Sequence, residues 1–244
     1  MITYEKSIIT GGVKSILVMG DSVARGVVFH PEKKRYTFLG NGFIKKLAGK
    51  LQVSIHDCSK FGTTTAYGQR LLREKLEDIN PDLVLIEYGG NDCDYKWDEV
   101  ALDPCAVHTP NTPVKEYEQT LSAMIESLLE RGKIPVLMNL PPLNAAAYFR
   151  WFTKNDPQRA HNILKWLHDV SKIYWWQEKY SYTIDKIADI YGVHLIDVRS
   201  VFLAQPDYRT LICEDGIHPS EQGQHLIEQT FVDYIQQHAA YMMA

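Results

Sequence analysis

Four short stretches of this chain carry residue types that together can run nucleophilic acyl chemistry. Gly20-Asp21-Ser22 follows the apolar run Ser15-Ile16-Leu17-Val18-Met19 and sets a hydroxyl just past a strand. Open α/β sheets bind their ligands at that end of the strands. A serine hydroxyl is a poor nucleophile until a positioned imidazole removes its proton, and the imidazole needs a carboxylate to fix its tautomer. Far along the chain, Asp215-Gly216-Ile217-His218-Pro219 offers both partners three residues apart, with Gly216 permitting a tight turn. Read alone, that pentapeptide is also ordinary punctuation for a surface turn and a helix start.

The oxyanion of an acyl-transfer intermediate needs preorganised donors. The Ser22 backbone N–H is one. Gly62 lets the backbone approach a substrate, so its N–H is a second, and the Asn91 amide after Gly89-Gly90 is a third. Each also has a plainer use, Gly62 in a turn and Asn91-Asp92 in tying a loop.

The order Gly20-Asp21-Ser22, Gly62, Gly89-Gly90-Asn91-Asp92, Asp215-Gly216-Ile217-His218 resembles the SGNH (GDSL) hydrolase family, whose four blocks contribute Ser, Gly, Asn and His. The resemblance runs from Ile16 to the last helix and is close in the first, third and fourth blocks. It implies Ser22 as nucleophile, His218 as general base and acid, and Asp215 as the orienting carboxylate. It implies an oxyanion hole of Ser22, Gly62 and Asn91, with Asp21 and Asp92 supporting the loops. The second block departs from the family: Asp57-Cys58-Ser59 stands where Asn-x-Gly is frequent, although Thr64 after Gly62 fits.

Elements that position these loops are legible as apolar periodicity. Strands are expected at Ile16–Met19, Val53–Cys58, Leu83–Glu87, Ile134–Met138 and Val193–Ile196. The loop Phe38–Asn41 leads into an amphipathic helix at Phe43–Ala48. Helices follow over Ala66–Ile79 and Glu116–Glu130, and over about Ala160–Tyr191 with an interruption near Trp176. The segment from Gly89 to Pro113 reads as loop, Ala145–Trp151 is short and aromatic, and Pro219 opens the last helix. Strands separated by helices imply right-handed crossovers and a parallel sheet. The expected fold is an α/β three-layer α/β/α sandwich with a five-stranded parallel sheet in the flavodoxin-like order 2-1-3-4-5, which gathers Ser22, Gly62 and Asn91 at one crevice. One domain over residues 1–244 is expected, with an aromatic helical excursion at about 141–191.

Composition narrows the function classes. A formal net charge of −4 gives no electrostatic case for nucleic acid or an anionic membrane. No apolar run approaches the roughly 18 residues a spanning helix needs. Met1–Lys6 carries an acid early with no apolar core behind it, so no secretory leader is read. The four cysteines, Cys58, Cys93, Cys105 and Cys213, then suit reduced thiols in a cytoplasmic protein. Cys93, Cys105 and His108 are irregularly spaced and lack a fourth ligand, so neither a metal nor a cofactor is expected. No serine sits in G-x-S-x-G, Gly40-Asn41-Gly42 lacks the third glycine of a dinucleotide fingerprint, and no phosphate-binding G-x-x-x-x-G-K-[ST] occurs.

Aromatic side chains cluster where the excursion should border the crevice. Trp97, Phe149, Trp151 and Trp175 are candidates for substrate contact, against the plainer role of packing the excursion or a dimer face. The sequence thus points to a serine esterase for a small-molecule, short-acyl ester, acetyl-type and including sugar acetates, working through an acyl-enzyme. Three alternatives stay open: a non-catalytic small-ligand-binding protein on the same fold, an acyltransferase, and a thioesterase using the same site.

Overall fold

A computed structural model describes residues 12–40, 42–50 and 53–238. The segment Met1–Lys6 and Asn41 of the expected loop lie outside them. In chain order the elements are β1 (Ser15–Gly20), β2 (Val27–His30), β3 (Arg35–Phe38), α1 (Phe43–Lys50), β4 (Ser54–Asp57), α2 (Thr65–Ile79) and β5 (Leu83–Glu87). Then come α3 (Trp97–Leu102), α4 (Val114–Glu130), β6 (Ile134–Met138), α5 (Ala145–Thr153), α6 (Pro157–Leu167) and α7 (Ser171–Tyr191). The last are β7 (His194–Ile196), α8 (Val198–Leu203), a 3-10 turn (Tyr208–Leu211) and α9 (Glu221–His238).

The main sheet runs β4-β1-β5-β6-β7, all parallel, which is the expected 2-1-3-4-5 order counted over its own strands. Alternation along the strands feeds two cores. Leu17, Met19, Val84 and Ile86 point to one face and pack on α2, α4 and α7 through Leu72, Leu121, Met124 and Ile184. Ile16, Val18, Leu83 and Leu85 point to the other and meet Phe43 of α1, Phe202 of α8 and Phe231 of α9. Strands buried on both faces read as unbroken apolar runs, which is why β1 and β5 are evident in the sequence. A third cluster joins Trp97, Val100, Tyr148, Phe152 and Ile163, so α3, α5, α6 and the start of α7 form the aromatic excursion.

Several local expectations are corrected. The stretch after Asn91 is not all loop, because α3 sits in it. Six residues give no periodic signal, and α3 is held from outside: Val100 is buried, and Asn162 donates to the Ala101 carbonyl at 2.9 Å. The long helix breaks at His168, not near Trp176. His168 takes φ 65°, and Asp169 Oδ1 caps the new start by accepting from Ser171 N–H at 2.8 Å. Its first half starts at Pro157 because Asp156 accepts from Gln158 and Arg159. Pro219 does not open α9. It pairs with Ile212 in an isolated bridge, and Ser220 Oγ receives the Gly223 N–H instead. The β2–β3 hairpin is unforeseen: its strands are four residues each, and its turn Pro31-Glu32-Lys33-Lys34 lacks the usual Gly or Asn.

Candidate active site

Ser22 stands just past β1, on the turn the strand end dictates. Gly20 is required there because an added Cβ would lie 2.6 Å from Ala24 Cβ and 2.9 Å from Glu87 Oε2. The Ser22 carbonyl accepts from Val27 N–H at 2.9 Å, so the start of β2 fixes the turn. Across 196 residues of sequence, His218 Nε2 lies 2.9 Å from Ser22 Oγ, and His218 Nδ1 lies 2.6 Å from Asp215 Oδ2. In the tautomer that satisfies both contacts, Nδ1–H donates to the carboxylate and Nε2 accepts the serine hydroxyl.

One rigid turn aims both partners. Asp215 Oδ1 accepts from the Ile217 and His218 backbone amides at 3.0 and 3.1 Å, leaving Oδ2 for the imidazole. Cys213 N–H donates to the His218 carbonyl at 2.7 Å and closes the loop. Gly216 has φ +81°, and a Cβ on it would sit 2.3 Å from the Tyr148 nitrogen. The turn is therefore pressed against α5, and Asn144 N–H donates to the Gly216 carbonyl at 2.8 Å.

The three expected oxyanion donors lie in the loops after β1, β4 and β5. Among the described residues neither the Ser22 nor the Gly62 N–H meets a backbone acceptor. Gly62 has φ +74°, yet an added Cβ would meet nothing within 4 Å, so conformation and not crowding asks for glycine. Asn91 Nδ2 donates to Asp21 Oδ2 at 2.8 Å and to the Thr63 carbonyl at 3.1 Å, tying all three loops together. Asp21 Oδ1 accepts from Val23 N–H at 2.9 Å. Asp92 is buried and accepts from the Thr65 amide and hydroxyl, pinning the start of α2.

Glu87, which the sequence reading passed over as strand, lies fully buried beneath this turn. Its Oε2 accepts from the Asp21 and Ala24 amides, both at 3.2 Å, while its Oε1 is buried without a partner. Burial, then the adjacent Asp21 charge, pushes the Glu87 carboxyl well above its usual range. Burial also raises Asp21. A lone acid at the end of an apolar strand was the available signal.

One space is lined by the serine, and a second adjoins that space. A narrow cavity of about 70 Å³ is lined by Ser22, Asn91 and His218 together with Leu140, Ile173 and Trp176. A wide groove of about 570 Å³ opens beside it, with Tyr95, Trp97, Tyr148 and Ile217 common to both. Of the four aromatic candidates, Trp97 borders both spaces and Trp151 borders the groove. Phe149 lines neither and packs edge-on to Phe152. Trp175 lines neither and is 53% exposed on α7. Its neighbour Trp176 lies about 100° round the helix and faces the cavity against Tyr95, ring centroids 4.5 Å apart. Two contacts on the imidazole are absent from the sequence reading, one from the hairpin (Tyr36) and one from the loop after β4 (Phe61). Tyr36 packs on the His218 ring at 5.1 Å, and Phe61 stacks on it at 5.8 Å and 15°.

Among the described residues no cluster of three or more His, Cys, Asp or Glu could hold a metal ion. Cys93 donates to the Gly90 carbonyl, whereas His108 Nε2 meets the Asp103 carbonyl. No described helix is long and apolar enough to cross a membrane.

The fold recurs in solved structures. A lipase/acylhydrolase from Enterococcus faecalis superposes with a TM-score of 0.65 at 18% identity, covering 92% of this chain and 96% of that one. A catalytic mutant of an acetylxylan esterase from Geobacillus stearothermophilus does so at 0.62 and 20%, covering 92% and 95%. An arylesterase from Vibrio mimicus is 28% identical over 151 residues, 61% of this chain and 66% of its own. The chain spans about half to two thirds of the length of the curated relatives it matches. Residues 18–226, which hold every block assembled around Ser22, match the GDSL-like lipase/acylhydrolase family, and the chain belongs to it.

Proposed function

We propose that this protein is a serine esterase that hydrolyses short-acyl carboxylic esters through an acyl-enzyme on Ser22. The hydrogen-bonded line Asp215–His218–Ser22 carries the reading. Ser22 Oγ attacks the ester carbonyl carbon as His218 Nε2 takes its proton. Asp215, held by two backbone amides, stabilises the imidazolium and stays ionised. The carbonyl oxygen becomes an oxyanion facing the Ser22 and Gly62 amides. The Asn91 amide joins them by sharing the longer of its two bonds, the one to Thr63. Collapse breaks the ester C–O bond, and the departing alkoxide takes the proton from His218. Water activated by the same imidazole then attacks the acyl carbon and regenerates Ser22.

The narrow cavity supports short acyl groups. A water-sized group fills about 10–15 Å³ on this measure, so about 70 Å³ takes an acyl chain of a few heavy atoms. Hydrolysis of p-nitrophenyl acetate, butyrate and octanoate by wild type and Ser22→Ala tests both parts. The expected order is acetate above butyrate well above octanoate, with Ser22→Ala and His218→Ala each losing roughly 10³-fold or more and the double variant losing little further. Undiminished turnover in Ser22→Ala would refute the mechanism, and a preference for octanoate would refute the acyl assignment. Asn91→Ala should lower kcat about 10²–10³-fold with little change in KM, because its amide is called on as charge develops.

A further inference from the structure

Resting on that esterase reading, we infer that the groove beside His218 is the subsite for the alcohol half of the ester, and that it takes a sugar ring seated on Tyr36 and Trp151. The alcohol receives its proton from His218 Nε2, so at departure it lies against the imidazole. The cavity holding Ser22 is narrow, about 70 Å³, which suits the acyl group and leaves the alcohol to the adjoining space. The groove shares Ile217, the residue before His218, with that cavity, and Tyr36 links it to the imidazole: its ring packs on His218 and lines the groove. Trp151 stands 6.3 Å from Tyr36 and inclined 66° to it, so the two rings form a corner that can hold a ring against both faces, and both brace edge-on against Phe29 of the hairpin, Trp151 at 4.6 Å and Tyr36 at 5.4 Å. The corner is braced by Phe29 and open to solvent, since Tyr36 stays 36% exposed.

The opposite rim decides what kind of ring it suits. Lys96, Asp98, Glu99, Lys154 and Arg159 line the same groove. Arg159 Nη1 pairs with Asp98 at 2.7 Å, and Lys96 with Glu99 at 3.3 Å. A flexible alkyl alcohol uses neither the flat rings nor the charges. A phenol uses the rings alone. A pyranose offers an apolar face for the rings and hydroxyls for the charged rim, matching both walls. The hairpin that carries Tyr36 is a separate two-stranded sheet, joined to the main sheet by no strand pairing. Its plainest use is to bring this ring to the imidazole.

The test compares acetate release from three acetates, ethyl acetate, phenyl acetate and monoacetylated methyl β-xylopyranoside, by wild type, Tyr36→Ala, Tyr36→Phe and Trp151→Ala. Each result is read as the ratio of variant to wild-type kcat/KM, which cancels the intrinsic reactivity of the ester. We expect Tyr36→Ala and Trp151→Ala to lose about tenfold on the sugar acetate and less than about threefold on ethyl acetate, the loss lying in KM. Tyr36→Phe should keep most of the wild-type rate on the sugar acetate. Tyr36 touches His218, so Tyr36→Ala can slow all three esters alike; Trp151→Ala, which does not touch it, then decides. Equal losses on all three esters in Trp151→Ala would overturn the subsite. A selective loss on phenyl acetate alone would replace the sugar by an aryl alcohol. A wild type inactive on every acetate would instead reject the esterase reading beneath it.

Discussion

Asp21, Glu87, Asp92 and Asp215 are all buried within the loops that hold Ser22, and the cation that can form among them is the imidazolium of His218. Burial raises the carboxyls of Asp21, Glu87 and Asp92, and Glu87 is raised well above its usual range. It faces Asp21, with Asp92, Tyr88 and His218 in the same neighbourhood, and burial and Asp21 both favour its neutral form. The unfolded chain ionises Glu87 near its ordinary value of about 4.3. The stabilising contribution of the protonated group is thus complete below that value and is lost as pH rises towards the raised folded value. Glu87→Gln keeps the acceptor for the Asp21 and Ala24 amides and cannot ionise. Its Tm relative to wild type should therefore climb between about pH 5 and pH 8, measured by thermal melts across that range. A constant difference would show that Glu87 is ionised throughout. Glu87→Ala should lose stability at every pH, because two buried amides lose their acceptor.

Two glycines show what each element contributes. Gly216 and Gly62 share a left-handed backbone, but a Cβ at Gly216 collides with α5 and a Cβ at Gly62 meets open space. Gly216→Ala should drop Tm by many degrees, combining left-handed strain with a backbone clash. Gly62→Ala should pay only the conformational cost of about 1–3 kcal/mol and keep the fold, while the proposed oxyanion role of its N–H predicts that activity falls. Melting curves and p-nitrophenyl acetate assays on both variants separate the roles; equal Tm losses would contradict them. The same elements show what the sequence could convey. β1, β5 and β6 were legible because burial on both faces makes them apolar throughout. The loops after β1 and β5 were legible because Gly-Asp-Ser and Gly-Gly-Asn-Asp follow those runs directly. The hairpin and α3 were not, because each is short and held by tertiary contacts, Tyr36 on His218 and Val100 under α6; the break at His168 was not, because it rests on one left-handed residue and a single local contact, Ser171 N–H on Asp169. Glu87 was hidden by its position in an apolar strand. Trp175 was chosen over Trp176 because composition does not tell neighbouring positions on a helix apart.

In the whole molecule, the sheet sets the distances and the excursion sets the shape of the crevice. Ser22, Asn91 and His218 come from chain segments far apart, and parallel pairing of β1 with β5 brings the first two loops together at one edge. The excursion adds a wall with its own core, in which Trp97 stacks on Phe152 at 4.1 Å and 4°. Phe152→Ala should cost about 3–5 kcal/mol of stability and loosen that wall. Short-acyl preference should then relax towards longer chains, measured as the butyrate-to-acetate ratio of kcat/KM; an unchanged ratio would mean the excursion does not shape the acyl cavity. Everything else depends on one reactive hydroxyl, and labelling it is the most direct test. Wild-type protein is treated with a serine-directed fluorophosphonate, digested, and mapped by mass spectrometry, with His218→Ala alongside. One adduct on Ser22, lost in His218→Ala, is the predicted result. An unlabelled Ser22, or a label that persists without His218, would contradict the catalytic line from Asp215 to Ser22.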